Sequence, residues 1–254
     1  MPRTALQRRN RRETRTPSIF WFLAGVVLPI FNVSVNYRFH DTEKLPNEGA
    51  FVLAPNHYSE IDPIVVGVAA YKLGRVPRFL AKASLFDVPV IGMLLRASGQ
   101  IPVDRHGSSG HRAIKAAEEL VAKGRMIVVY PEGSLTRDPD MWPMRGKTGA
   151  VRIALERGIP IVPMAHWGAQ ALMPRYGKKL HLFGRKPVDV IFGDPIDLGP
   201  FQDRPLEPAL LIDATNVVMN SIAALLADLR HEAAPAERWD PSLHEQTETG
   251  RFDG

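Results

Sequence analysis

The order of apolar and polar positions divides the chain before any side-chain chemistry is considered. Residues 19–31 carry no polar side chain and are interrupted only by Gly25 and Pro29. Beyond them, short apolar runs alternate with helical patterns. Residues 34–39 read as a strand, and 51–54 as a buried strand that Pro55 stops. A helix is predicted over 64–73, closed by Gly74, then a strand over 78–82 and a helix over 89–96. Ser108 or Ser109 caps an amphipathic helix through Ile114, Ala117 and Val121, which Gly124 ends. The continuous apolar run 126–130 suits a central parallel strand. A helix over 149–157 follows, with Gly158 as its stop, then a strand over 159–164 and one or two more within 180–183 and 188–192. In the last helix, 208–230, Leu211, Val218, Ile222, Leu225 and Leu229 recur at helical spacing. From His231 the chain is polar and Pro-containing and reads as disordered.

Strands that alternate with helices predict a single α/β domain with a mostly parallel β-sheet flanked by helices. The expected layout is a basic disordered arm over 1–16 and an apolar membrane-associated segment over 17–35. The main domain then covers 36–230, and a disordered tail 231–254.

Charge sharpens the picture at the N-terminus. The first sixteen residues hold Arg3, Arg8, Arg9, Arg11, Arg12 and Arg15 against Glu13 alone. Taking those from the 32 basic and 27 acidic residues leaves 26 of each, so the excess of +5 belongs to the arm. An evenly charged domain offers no basic groove for nucleic acid. A polybasic stretch beside an apolar one fits a membrane with anionic lipids, at about 1 kcal/mol per Lys or Arg. Thirteen helical residues reach about 20 Å against a hydrocarbon core of about 30 Å. A span would need residues 33–35 as well, so an anchor in the plane of the interface, or a re-entrant one, is expected. No small-residue cleavage site follows to mark a signal peptide. The absence of cysteine removes disulfides, thiolate ligands and a cysteine nucleophile.

Candidate chemistry collects at strand ends. Asn56-His57-Tyr58-Ser59-Glu60-Ile61-Asp62 follows the second strand, where open α/β sheets place their sites. On one continuous helix His57 and Asp62 would lie about 140° apart. They meet only if His57 is on a loop and Asp62 in a first helical turn, which Pro63 favours. In Gly99-Gln100-Ile101-Pro102-Val103-Asp104-Arg105, the arginine is of the type that grips phosphate with paired hydrogen bonds. Tyr130-Pro131-Glu132-Gly133-Ser134 again ends a buried strand, and Ile159-Pro160-Ile161-Val162-Pro163-Met164 forms a further one. Gly146-Lys147-Thr148 imitates a P-loop end, but Met141 stands where its first glycine is needed. Lys147 remains a candidate cation near the site.

These four segments, in this order, resemble the glycerolipid acyltransferase family that includes 1-acylglycerol-3-phosphate acyltransferase. That family carries Asn-His-x-x-x-x-Asp, a Gly with an Arg six residues on, Phe-Pro-Glu-Gly-Thr, and an apolar-Val-Pro-apolar strand. Here Tyr130 and Ser134 replace the Phe and Thr, and Leu135 stands where an arginine often follows, the nearest being Arg137. The resemblance implies transfer of a fatty acyl group from a thioester, acyl-CoA or acyl carrier protein, to a glycerol-phosphate hydroxyl in phospholipid synthesis. His57 would act as general base, since imidazole as a type titrates near neutrality, and Asp62 as its partner. Asn56, Arg105, Glu132, Gly133 and Ser134 would bind the lysophospholipid acceptor. No cofactor or metal is implied beyond the thioester co-substrate, and the expected location is the cytoplasmic face of the cell membrane. Other acceptors of the same chemistry are glycerol 3-phosphate, another lysophospholipid or a glycolipid. A metal-dependent hydrolase lacks a second pair at ligand spacing. A non-catalytic membrane-binding protein leaves the motifs at the strand ends unexplained.

Overall fold

The computed structural model describes residues 12–103 and 110–247. Arg105 and the capping Ser108 and Ser109 lie outside them. The helices are α1 (Arg12–Arg15), α2 (Ile19–Ser34), α3 (Asp62–Lys72), α4 (Pro89–Ala97), α5 (Gly110–Ala122), α6 (Gly149–Arg157) and α7 (Pro208–Arg230). The strands are β1 (Val35–His40), β2 (Phe51–Pro55), β3 (Leu80–Lys82), β4 (Ile101–Val103), β5 (Met126–Val128), β6 (Ile161–Trp167) and β7 (Lys186–Phe192).

Five strands form one sheet in the order β1-β7-β6-β2-β5. β2 runs parallel to β5 and β6, and β1 runs parallel to β7, so among the paired strands of this sheet β6–β7 alone is antiparallel. The parallel pair β3–β4 continues the sheet beyond β5 through a bridge between Phe79 and Val128. The period-two geometry of the strands sorts side chains between two cores. Phe51, Leu53, Met126, Val128, Val162 and Met164 face the layer that holds α2 and α3. Val52, Ala54, Ile127 and Ile161 face the layer that holds α6 and α7. The antiparallel contact has a topological consequence. Trp167 pairs with Asp189, so β7 starts at the end of the sheet where β2, β5 and β6 finish.

Among the described residues α7 has the length and apolarity of a membrane span. It nevertheless buries Leu211, Ala214, Val218, Met219, Ile222 and Leu226 in the domain, as a core helix does. The helix α2 differs. Phe20 and Phe31 are buried, whereas Trp21, Phe22, Val26, Ile30 and Val33 are exposed. At 16 residues it is about 24 Å long, short of the hydrocarbon thickness.

Three expectations are corrected. The arm is not loose up to residue 16, because Glu13 accepts hydrogen bonds from Arg78 (2.7 Å) and Arg125 (2.8 Å) and lies 3.4 Å from Arg75. The segment expected to be disordered from 231 is ordered through 247, since its polar groups find partners on the domain. The Trp239 carbonyl accepts the Arg145 N–H at 2.9 Å, Arg238 donates to Asn216 at 2.6 Å, and Trp239 stacks on His244. Residues 180–183 form no strand; Gly184 turns the chain with φ +79° and β7 begins only at Lys186.

Candidate active site

The loop after β2 is held by hydrogen bonds before any catalytic group is considered. Pro55 makes the last backbone pairing with β6. The Asn56 carboxamide then extends the ladder: Nδ2 donates to the His166 carbonyl (3.1 Å) and Oδ1 accepts the His166 N–H (2.9 Å). His57 follows, gripped by its backbone. Its N–H donates to Glu132 Oε1 at 2.9 Å, and its carbonyl accepts the Thr136 N–H at 2.7 Å. Glu132 Oε2 accepts the Met144 N–H at 3.0 Å. Burial pushes the Glu132 carboxyl up to about 8, against the opposing pull of the Met144, His57 and Thr136 hydrogen bonds.

Asp62 is the first residue of α3, with Pro63 behind it. Its Oδ2 lies 3.0 Å from His57 Nδ1 and accepts the backbone N–H groups of Tyr58 (2.7 Å) and Ser59 (2.8 Å). A carboxylate only accepts, so this contact puts the imidazole proton on Nδ1 and leaves Nε2 as the acceptor. The ring stacks on Tyr130 with 4.0 Å between centroids, which fixes its plane. Asp62 is fully buried, while the His57 side chain keeps 15% exposure.

His57 opens on a cleft of about 470 Å³ that is also lined by Lys82, Gln100, Tyr130, Gly133 and Lys147. Gly133 has φ +71°, and a Cβ there would meet the Lys147 stem at 3.0 Å, so the glycine lets the lysine cross the loop. Pro63, Phe79, Leu95 and Gln100 also line a second cavity of about 370 Å³, set among α2, α3 and α4. Apart from Ser98 and Gln100 that cavity is walled by apolar and aromatic residues.

The structure thus brings Asn56, His57, Asp62, Glu132 and Gly133 together, but not in one role. Asn56, Glu132 and Ser134 are buried, and none of them lines the cleft. Asn56 spends its carboxamide on the His166 backbone, and Glu132 spends its carboxyl on the backbone N–H groups of His57 and Met144. Arg137 is also buried; it donates from Nε to the Thr247 carbonyl (3.2 Å) and from its guanidinium to Tyr176. Arg105 falls outside the described residues.

Sequence reasoning passed over Lys82 and His166. Lys82 ends the three-residue strand β3 and carried no pattern to mark it. His166 is fully buried behind Asp62. Its Nδ1 lies 3.2 Å from the Tyr58 hydroxyl, and its Nε2 lies 3.2 Å from the Asn56 carbonyl and 3.9 Å from Asp62 Oδ1. That Oδ1 has no hydrogen-bond partner among the described residues, and His166 stands just beyond hydrogen-bond distance of it. Desolvation lowers the His166 pKa, against the opposing pull of Asp62, which keeps the ring neutral.

An imidazole with a buried carboxylate partner, at the end of an α/β sheet and open to a cleft beside an apolar cavity, is an arrangement suited to group transfer. Residues 36–167 match the family model described as Acyltransferase, and the chain belongs to that family. A 1-acyl-sn-glycerol-3-phosphate acyltransferase of Bacillus subtilis (strain 168) is 30% identical over 194 residues, 76% of this chain and 89% of the relative. One of Streptococcus pneumoniae is 30% identical over 193 residues, 74% of this chain and 67% of that protein. The fold is shared with the 1-acyl-sn-glycerophosphate acyltransferase PlsC of Thermotoga maritima. That crystal structure has a TM-score of 0.56 at 22% identity, covering 90% of this chain and 87% of the other.

Proposed function

We propose that the chain transfers a fatty acyl group from an acyl thioester to the free hydroxyl of 1-acylglycerol 3-phosphate, giving phosphatidic acid. The observation that carries this reading is the single Asp62 oxygen shared by His57 Nδ1 and two backbone amides. It orients Nε2 as a base. The acceptor hydroxyl gives its proton to Nε2 as its oxygen attacks the thioester carbonyl. The C–S bond of the tetrahedral intermediate then breaks, and the departing sulfur takes the proton from the imidazolium. A thiol of pKa about 8.5 leaves readily.

Lys82 and Lys147 supply positive charge at the cleft for the acceptor phosphate, alongside the phosphate role expected of Arg105. The adjoining apolar cavity accommodates an acyl chain. The exposed apolar stripe of α2 supports docking on the membrane that holds the lipid substrates, and the basic composition of the N-terminal arm favours its anionic cytoplasmic face. Acyl-CoA and acyl carrier protein both present the required thioester. The test is a radiolabelled acyl thioester, on each carrier, offered with a panel of acceptors. Labelled phosphatidic acid from 1-acylglycerol 3-phosphate is expected. Preferential labelling of glycerol 3-phosphate or a glycolipid would replace the acceptor assignment.

A further inference from the structure

The connection from β6 to β7 carries a feature that the chemistry leaves unused. Residues 177–185 follow a short turn and lead into β7 with Lys178, Lys179, Leu180, Phe183 and Arg185 all exposed. Phe183 is 98% exposed, more than any other large apolar side chain among the described residues. It is held out by local structure. The His181 N–H donates to the Leu172 carbonyl at 2.8 Å. Lys186 Nζ donates to the carbonyls of Phe183 and Gly184, which ties the tip to the start of β7.

The position of this loop gives the aromatic tip a meaning. Because β7 runs antiparallel to β6, the loop stands at the end of the sheet from which His57 emerges. It also adjoins the point where α2 hands over to β1: Val35 pairs with Lys186, and Arg185 Nε reaches the Val35 carbonyl at 3.5 Å. The unpartnered stripe of α2 ends there, at Ile30 and Val33. An isolated aromatic collared by cations, continuous with an apolar helix face, matches an anionic bilayer surface: rings sit among headgroups while Lys and Arg meet phosphates.

We propose that loop 177–185 is a second lipid-docking element. Phe183 and Leu180 enter the interface, and Lys178, Lys179 and Arg185 engage anionic headgroups, which holds the catalytic end of the sheet against the membrane. This rests on the membrane reading of α2. An acidic carrier protein is the competing occupant, and a tip that projects its aromatic ring almost wholly clear of the protein favours the bilayer.

The chain has no cysteine, so Phe183→Cys and Leu243→Cys in the full-length protein each give one labelling site. Leu243 is 79% exposed and lies in the C-terminal segment that packs on α7, across the sheet from α2. An environment-sensitive dye is attached at each site, and vesicles of equimolar phosphatidylcholine and phosphatidylglycerol are added. A blue shift is expected at position 183 and none at 243. Lys178→Gln with Lys179→Gln should weaken binding to these vesicles about 25-fold, or about fivefold per cation, and leave binding to phosphatidylcholine alone unchanged. If the protein sediments with vesicles while the dye at 183 does not respond, the loop proposal falls and the α2 reading stands. If the protein does not bind vesicles at all, both fall. A response at 183 to acyl carrier protein and not to vesicles would also overturn it.

Discussion

Asp62 has two unequal oxygens, and this makes it the most informative residue to substitute. Oδ2 accepts three N–H groups, whereas Oδ1 is buried without a hydrogen-bond partner among the described residues. In Asp62→Asn the carboxamide oxygen can keep the two backbone amides while its NH₂ occupies the Oδ1 position. The fold should persist, but the charge that stabilises an imidazolium is lost. Turnover should fall by about 10⁴, as for the equivalent change in a hydrolase triad; steady-state kinetics beside an unchanged circular dichroism spectrum would check it. Glu132 makes the opposite prediction. Both of its oxygens accept backbone N–H groups, so the NH₂ of Glu132→Gln would confront a donor at a cost of about 1–3 kcal/mol. With its pKa raised to about 8, the stability Glu132 contributes is complete below the ordinary glutamate range and is lost as pH rises through about 8. Denaturant melts across that range should slope in the parent and flatten in Glu132→Gln. The His57–Asp62 pairing was legible from five-residue spacing plus Pro63. The bracing roles of Asn56 and Glu132 were not, because a motif gives positions but not which atoms the backbone consumes.

At the scale of elements, the N-terminal arm is fastened by its one acid. Glu13 joins Arg75 and Arg78, from the connection between α3 and β3, to Arg125 just before β5, and α2 begins six residues later. Burial alone would raise its pKa, but the Arg78, Val76 and Arg125 hydrogen bonds lower it overall. Its contribution is therefore present above the ordinary carboxylate range and is lost as pH falls below that range. Glu13→Gln should destabilise the protein by about 2 kcal/mol at neutral pH and remove that acid-side loss, read by thermal melts at several pH values. Helices with strong periodicity and clear stops were readable almost to the residue, as α6 and α7 show. The antiparallel turn of β7 was not, since strand direction depends on the path of the 168–185 connection rather than on any local pattern. The tail from 231 was misread for a related reason: polar composition reports weak burial of its own, yet Arg238 uses partners on α7 and Trp239 one in the 137–147 loop.

For the whole molecule, one end of a mixed sheet gathers the His57 imidazole, the cleft with Lys82 and Lys147, the adjoining apolar cavity and the exposed Phe183 loop. The layer of α6 and α7 buries a conventional core, and the start of α6, Gly149 and Ala150, lines the cleft. Such a division suits an enzyme that draws an amphipathic acceptor from a membrane and keeps its reacting hydroxyl at the membrane's edge. The central claim is that His57 takes the acceptor proton. The most direct measurement is single-turnover acyl transfer by His57→Ala, with folding checked by circular dichroism and membrane binding by sedimentation with vesicles. The account predicts a folded, membrane-bound protein with no detectable transfer of label from thioester to 1-acylglycerol 3-phosphate. Transfer at the parent rate would contradict it.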